Sequence, residues 1–217
     1  MTPSPIALAM LAGMMILSAG CASGGTRRFA GLDRARFYDS SGAFDEQAAK
    51  AVYIDFLREA GYPVNETIER KIWASDFGLG RFPEAGVGGI IWWGDQPHNF
   101  SSLDAFLLPG QIIPEHWHVR QGDVPEKMEA WLVRFGEMYV YGEGERTPKI
   151  RAKPSPADAA HITVKAERIL GVGDVAGIAR PLEKHWMQAG PDGAIFSEFS
   201  TYHTGAAVRF TDPKIKF

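Results

Sequence analysis

The stretch PEHWHVRQGDVPEKMEAWLVRFGE, from Pro114 to Glu137, carries the strongest fold signal in the chain. Two histidines are separated by one residue, and after ten further residues Glu129 opens a strongly apolar run. Residues two apart in a β-strand point to the same face, so His116 and His118 converge while Trp117 faces away. A hairpin joining the two strands would bring Glu129 back to the imidazoles. Because imidazole and carboxylate are ordinary ligands of divalent first-row metals, the stretch predicts a metal site. The alternative is an exposed strand with two solvated histidines.

Length and composition predict one β-rich domain. The 217 residues, with a formal net charge of −3, are enough for a single domain with a sizeable core. The slight acidity, with no basic run longer than Arg27-Arg28, argues against nucleic acid as a partner. The 24 Gly, 14 Pro and 13 Phe residues favour strands and turns over helices.

The pattern of apolar residues predicts one or two helices followed by strands. Phe44, Ala48, Val52 and Phe56 repeat every four residues, and Gly61 is placed to end that helix. Residues 66–74 suggest a second short helical segment. From Gly88 onward the pattern is that of short strands separated by turn signals, which is typical of a sandwich or small barrel. The predicted strands are GGIIWW, DAFLL, AWLVRFGEMYVYG, HITVKAERIL, AGIAR, GAIFSEFS and AAVRF.

The N-terminus has the features of an export signal. Residues 6–19 form an apolar run that is short for a bilayer span. The string LSAGC that ends at Cys21 resembles the lipobox of bacterial lipoproteins, in which the cysteine is lipidated. We therefore expect a signal peptide at residues 1–20, a tether at residues 21–43 and the folded domain at residues 44–217, on a lipid-anchored protein that faces the periplasm. The alternatives are a plain signal peptide or an unprocessed anchor, since MTPSP at the start holds no lysine or arginine.

Cys21 is the only cysteine, so an intramolecular disulfide is excluded.

The spacing around the two histidines resembles the first motif of the cupin barrels. Five residues separate Gly110 from the His-x-His pair, and six residues separate Glu129 from Gly136. The second cupin motif normally supplies a third histidine after a Pro-x-Gly turn. Here RPLEKHWMQAG offers His185, with Glu183 where glycine is expected.

Four longer segments resemble the D-lyxose ketol-isomerase family of cupins. They are SDFGLGRFPEAG (75–86), LLPGQIIPEHWH (107–118), FGEMYVYGEGE (135–145) and KHWMQAGPDGAIFSEFSTYHTGAAVRFTDPKI (184–215). The resemblance implies an all-β cupin double-stranded β-helix, or jelly-roll barrel, with one or two N-terminal helices. It also implies an isomerase that converts aldoses to ketoses, notably lyxose to xylulose and mannose to fructose, and allows a homodimer. The metal of that family is often manganese, and its ligands fall here on His116, His118, Glu129 and His185.

Such a ligand set suits aldose–ketose isomerisation. The reaction moves a proton between adjacent carbons through an enediolate, or shifts a hydride, and both routes develop negative charge on the sugar oxygens. A divalent metal stabilises that charge, and a nearby base handles the proton. The ligand types fit Mn, Fe, Co, Ni or Zn without choosing among them.

Further residues are candidates for catalysis and substrate binding. Glu198 is expected either to act as the general acid–base or to hydrogen-bond a ligand histidine. Lys127 would stabilise developing charge unless it is a solvated loop residue, and Arg209 matches a family position near the substrate unless it forms a structural ion pair. Trp117 and Trp186, with Trp131, are candidate sugar-binding aromatics, although core packing is the alternative. His203 is a reserve ligand, whereas His98 and His161 are expected at the surface.

One departure from the family predicts weak catalysis. The family usually carries a lysine thirteen residues before the first histidine of the pair, and here that position is Leu103. Lys127, Lys184 or Arg209 would have to supply the charge from another strand. A non-catalytic carbohydrate-binding cupin lipoprotein that keeps the metal is therefore the alternative function, and a cupin dioxygenase is a third.

The lipobox makes a direct prediction about Cys21. Treatment with globomycin, or the substitution Cys21→Ala, should leave an unprocessed or released protein, detectable by gel mobility and membrane fractionation. Unchanged mobility and unchanged membrane association would contradict lipidation of Cys21.

Overall fold

The fold is a barrel of antiparallel strands with helices at its N-terminal side, which confirms the predicted all-β cupin class. A computed structural model describes residues 25–217, so residues 1–20 and Cys21 lie outside the described part. The strands are β1 (Trp73–Ser75), β2 (Val87–Asp95), β3 (Phe100–Leu107), β4 (Ile112–His118), β5 (Glu129–Gly142), β6 (Ala166–Leu170), β7 (Val175–Gly177), β8 (His185–Ser200) and β9 (Val208–Phe210). The helices are α1 (Glu46–Glu59), α2 (Glu66–Lys71) and α3 (Pro156–Ala159), with 3-10 turns at Thr26–Phe29, Arg34–Phe37 and Gly205–Ala207.

Strand β8 joins the two halves of the barrel. It pairs with β5 along both of its halves, but on its other side it pairs first with β4 and then with β3. The change of neighbour follows Gly193, whose positive φ of +84° bends the strand. Opposite it on β5, Gly136 has a φ of +70°, and a Cβ there would lie 2.0 Å from the carbonyl oxygen of Gly193. The glycine that follows Glu129 by seven residues is thus required for the close approach of β5 and β8.

The connection between the two strands of the opening motif differs from the sequence-based expectation. Strands β4 and β5 do not form a hairpin, because β8 lies between them. Ile112 on β4 and Tyr139 on β5 are both partners of Gln188 on β8. The jelly-roll connectivity therefore brings Glu129 towards the histidines across an intervening strand.

The predicted N-terminal helix is confirmed as α1. Asp45 caps it by accepting a hydrogen bond from the Ala48 amide at 2.9 Å. The helix buries Val52, Tyr53 and Phe56 at the helical spacing. The Tyr53 hydroxyl also donates to the side-chain oxygen of Gln111 at 2.7 Å, which ties the helix to the segment before β4. Among the helices of residues 25–217, none is both long enough and apolar enough to cross a membrane.

The stretch expected to be a tether is in part folded. Phe29 and Phe37 are buried in the cluster that α1 forms, and the rings of Phe29 and Phe56 meet edge to face at 5.8 Å. Arg27 also pairs with Asp192 on β8 at 2.6 Å. The aromatic side chains explain the difference, because they bury apolar surface that a solvated linker would leave exposed. The folded body therefore includes residues 26–43 as well as the predicted domain.

Candidate metal centre and cavity

The four predicted ligands lie together inside the barrel. One ligand atom from each of His116, His118, Glu129 and His185 falls within 4.8 Å of the others, and all four residues are buried. His116 and His118 share a face of β4, and His185 is the direct partner of His116 on β8. Glu129, the first residue of β5, completes the group.

Hydrogen bonds orient two of the imidazoles toward the centre of the group. Nδ1 of His116 donates to the carbonyl of Pro114 at 2.9 Å, and Nδ1 of His185 donates to that of Glu183 at 2.9 Å. Such bonds on the outer nitrogen are usual for ligating histidines, because they direct the Nε2 lone pair at the metal. Glu183, noted because it replaces a motif glycine, contributes its backbone carbonyl here.

The polar atoms at the centre lack partners. Nε2 of His118 and Nε2 of His185 each lie 3.0 Å from Oε1 of Glu129, yet none of these three buried atoms makes an aligned hydrogen bond. A metal ion bound by Nε2 of His118, Nε2 of His185 and Oε1 of Glu129 would satisfy all three atoms at once. The donor set and its convergence therefore fit a divalent first-row metal.

The protonation of His116 and Glu129 suits a metal. Burial, with the neighbouring His185 and His118, holds the pKa of His116 well below its usual value, so this ring is neutral. Burial alone would raise the pKa of Glu129, but Lys127 and the histidines outweigh it and hold that pKa well below its usual value. A neutral imidazole and an ionised carboxylate are the forms that bind metals. At His185, burial would lower the pKa, but the Glu129 carboxylate outweighs it and raises that pKa, so a metal would compete there with a proton.

Lys127 and Glu198 form a buried ion pair beside the four ligands. Nζ of Lys127 lies 2.7 Å from Oε2 of Glu129 and 2.5 Å from Oε1 of Glu198. Lys127 is only 2% exposed, so the expectation of a solvated loop lysine is wrong. Burial would lower the pKa of Lys127, but the two carboxylates outweigh it and raise that pKa. Burial raises the pKa of Glu198 despite the lysine.

The ligand group opens into a cavity of about 420 Å³. Its wall includes Leu103 on β3, which pairs directly with Glu198 on β8, and Trp131 on β5, which pairs with Glu198 from the other side. The position where the family carries a lysine thus faces the cavity with an apolar side chain.

Three candidate residues lie away from the cavity. Trp117 on β4 and Arg209 on β9 are direct partners. The residues before and after each of them line the cavity, so Trp117 and Arg209 point to the opposite face. Arg209 donates to the carbonyls of Ala206 and Val208 at 2.8 Å. Trp186 follows His185 by one residue, so it turns into a separate core and stacks on Tyr141 at 3.9 Å. The structure corrects their assignment to the substrate site, because strand alternation turns all three side chains away from the cavity, and none of them lines it.

The remaining histidines divide into one cavity residue and two peripheral residues. His203 lines the cavity outside the group of four, with its ring 5.2 Å from that of His118. Burial lowers its pKa to about 3. His98, with its side chain 80% exposed, pairs with Asp95, as a surface residue does. His161 is half-buried near Asp212.

Sequence reasoning missed an aromatic wall made of Phe77, Phe210 and Phe217. Their rings lie 5.6 to 5.8 Å from one another, and the ring of Phe210 lies 5.7 Å from that of His116. Alternation in AAVRF places Val208 and Phe210 on one face, but only the pairing of β9 with β4 shows that this face borders the histidines. Nothing in the sequence indicated that the C-terminal residue reaches the cavity.

Comparison with known proteins finds sugar isomerases. The chain is 35% identical over 162 residues to D-lyxose ketol-isomerase from Cohnella laeviribosi, covering 75% of this chain and 87% of the relative. It is 34% identical over 160 residues to D-lyxose/D-mannose isomerase from Thermosediminibacter oceani, covering 74% of this chain and 87% of the relative. No family model matches the chain.

Solved structures share the fold. L-ribose isomerase from Cellulomonas parahominis with L-psicose matches with a TM-score of 0.62 at 15% identity, over 82% of this chain and 95% of that chain. Acinetobacter sp. DL28 L-ribose isomerase in complex with L-ribose matches with a TM-score of 0.63 at 15% identity, over 84% of this chain and 96% of that chain. At this identity the likeness establishes the fold alone.

The ligand group predicts which carboxylate of the sequence EKME holds the metal. Glu129→Gln should lower the affinity for a divalent ion by more than the roughly 10–100-fold loss typical of residues that only support ligands, because an inner ligand is weakened. Glu126→Gln is the matched control, since Glu126 pairs with Arg120 at 3.2 Å outside the group. Metal content after dialysis and competition titration measure both. Retention by Glu129→Gln with loss from Glu126→Gln would show that the carboxylate was chosen wrongly.

Proposed function

Because the chain belongs to the D-lyxose ketol-isomerase family, we propose that it interconverts D-lyxose and D-xylulose, and also D-mannose and D-fructose. The observation that carries the proposal is the buried group of three histidines and Glu129 beside the Lys127–Glu198 pair, at one cavity that His116, His118, Glu129 and this pair line. A sugar in that cavity would meet a metal-capable group and a proton carrier together. Both are needed to move a proton between adjacent carbons.

His116, His118, Glu129 and His185 would hold the metal, which we propose to be Mn²⁺. When bound, this ion would stabilise negative charge on two neighbouring sugar oxygens. The chain supplies the conditions for this by keeping the His116 ring neutral and the Glu129 carboxylate ionised. The four ligand residues are buried, and burial strengthens these electrostatic effects.

Glu198 is the proposed proton carrier. Burial raises the pKa of its carboxyl, and a pKa nearer to neutrality suits a group that must both accept and return a proton. Its carboxylate would take the proton from the carbon beside the carbonyl and deliver it to the neighbouring carbon. The alternative role, a hydrogen bond to a ligand histidine, has less support, because the ion-pair partner of Glu198 is Lys127.

Lys127 is the proposed source of positive charge near the enediolate. The family position for a lysine is Leu103, and from this the sequence predicted weak activity. Leu103 is the strand partner of Glu198. Lys127, in the segment before β5, places its Nζ 2.5 Å from Oε1 of the same glutamate. We propose that the cation has moved from one wall of the cavity to another, and that activity is retained.

The location of the enzyme is a further part of the proposal. The LSAGC string supports a lipid anchor on Cys21 and an isomerase held at the cell envelope, facing the periplasm. Such an enzyme would act on sugars before their uptake.

The test of the proposed function is isomerisation of D-lyxose and D-mannose by the purified Mn²⁺-loaded protein. Glu198→Gln should lower kcat by about 100–10,000-fold, the usual worth of general acid–base catalysis, with unchanged metal content. Glu137→Gln is the control, because Glu137 is a partly exposed glutamate paired with Arg151. Full activity of Glu198→Gln would remove its role. Absence of turnover in the unmodified, metal-loaded protein would favour the carbohydrate-binding function instead.

The role of Lys127 is tested by moving its charge back. Lys127→Met should lower kcat/KM by about 10–200-fold, because a charged hydrogen bond is worth about 1.5–3 kcal/mol. Adding Leu103→Lys in the same chain should restore part of the loss, since residue 103 lies opposite Glu198. Metal content of both variants separates loss of charge from loss of the site. Unchanged activity of Lys127→Met would show that this lysine does not act in the reaction.

A further inference from the structure

The polar side chains of the cavity are gathered at one side. Those that line it are the ligand residues His116, His118 and Glu129, followed by Lys127, Glu198, His203 and Thr204. Lys127 and Glu198 lie within ion-pair distance of each other, and His203 packs on the ligand His118. Polar recognition is therefore concentrated around the reacting end of a bound sugar.

The rest of the wall is apolar. Trp73, Leu103 and Met187 line it from three different strands, and the wall made of Phe77, Phe210 and Phe217 continues from His116 to the surface. Phe217 is 56% exposed, so this wall reaches the mouth of the cavity. A substrate whose reacting carbons lie at the ligand group must place its other end against these side chains.

The hydrogen-bonding capacity of this apolar part is small. Among the described side chains that form it, the indole Nε1 of Trp73 is a buried donor without a partner, enough for a single oxygen. A fully hydroxylated hexose would bury its terminal hydroxyl where it can make few hydrogen bonds, which is unfavourable. A methyl group at the same carbon would gain from apolar contact.

We infer that the substrate class of this enzyme is an aldose–ketose pair with an apolar terminal group, such as a 6-deoxyhexose. This inference rests on the proposed isomerase function and deepens it. The reaction is unchanged, because the proton still moves between the first two carbons, and only the terminal carbon differs. The cavity of about 420 Å³ is within the range typical of small-molecule sites, about 300–1,000 Å³.

The test compares two sugars that differ at one atom. D-mannose and 6-deoxy-D-mannose share their ring and the configuration of their reacting carbons. The metal-loaded protein should show a kcat/KM roughly ten-fold or more higher for the deoxy sugar, the discrimination expected of an apolar pocket against a buried hydroxyl. An equal or lower kcat/KM for the deoxy sugar would overturn the inference and leave the isomerase function intact.

Variants of two half-exposed phenylalanines assign the preference to the aromatic wall. Phe217→Asn should reduce the preference for the deoxy sugar by several-fold, and because Phe217 is 56% exposed the substitution should leave the fold intact. Phe100→Asn is the matched control, since Phe100 is 46% exposed and lies outside the cavity wall. An unchanged preference in Phe217→Asn, or an equal change in Phe100→Asn, would contradict the role of the wall.

A binding measurement separates this inference from the proposed function. Calorimetry with D-mannitol and its 6-deoxy derivative, which cannot isomerise, reports terminal-group recognition without catalysis. Tighter binding of the deoxy alditol supports the inference even if no aldose is turned over, an outcome in which only the isomerase function fails. Equal binding of both, or no binding of either, would overturn it.

Discussion

The electrostatic position of the Glu129 carboxylate is the constraint on which the rest of the site depends. One of its oxygens faces the Nε2 atoms of two histidines at 3.0 Å, and the other accepts from Lys127 at 2.7 Å. A buried carboxylate is costly unless it is compensated. Lys127 provides one positive charge, and a metal ion bound by the histidines would provide a second beside the other oxygen. The same geometry that makes the group unfavourable by itself makes it a strong candidate for a metal site.

Strand β8 links the metal-capable group to the proposed proton carrier. His185 lies on the half that pairs with β4, and Glu198 lies on the half that pairs with β3. The bend at Gly193, permitted by its positive φ and by the absence of a side chain at Gly136, carries the strand from one half of the barrel into the other. One strand therefore supplies both the ligand His185 and, thirteen residues later, the cavity residue Glu198, which is paired on both sides.

The cavity combines a polar reacting end with an apolar remainder. Lys127 enters from the segment before β5 and lies beside Glu198, whereas Leu103, which pairs with Glu198 on β3, is apolar. The charge of Lys127 is thus placed beside the two carboxylates, and the wall that Trp73 and Leu103 form is apolar.

Much of the ligand group could be predicted from sequence, because a local rule governs it. Alternation in a strand puts His116 and His118 on one face, and the resemblance to cupin motifs added Glu129 and His185. The helix α1 and most strands followed from apolar spacing in the same way. Alternation also implies that Trp117 faces away from the histidines, so the prediction that Trp117 binds sugar conflicted with the same rule. The prediction for Trp186, the residue after His185, conflicted with it in the same way.

Other features were decided only by tertiary structure. The sequence suggested a hairpin between β4 and β5, but strand order is a long-range property, and β8 lies between them. Burial of Lys127 depends on Glu129 and Glu198 meeting in space, which no local pattern of the loop records. The packing of Phe29 and Phe37 on the core, and of Phe217 on Phe77, depends in the same way on surfaces distant in sequence. Sequence determined which side chains share a strand face, whereas the closed barrel decided which faces meet, because burial and charge compensation are properties of the assembled core.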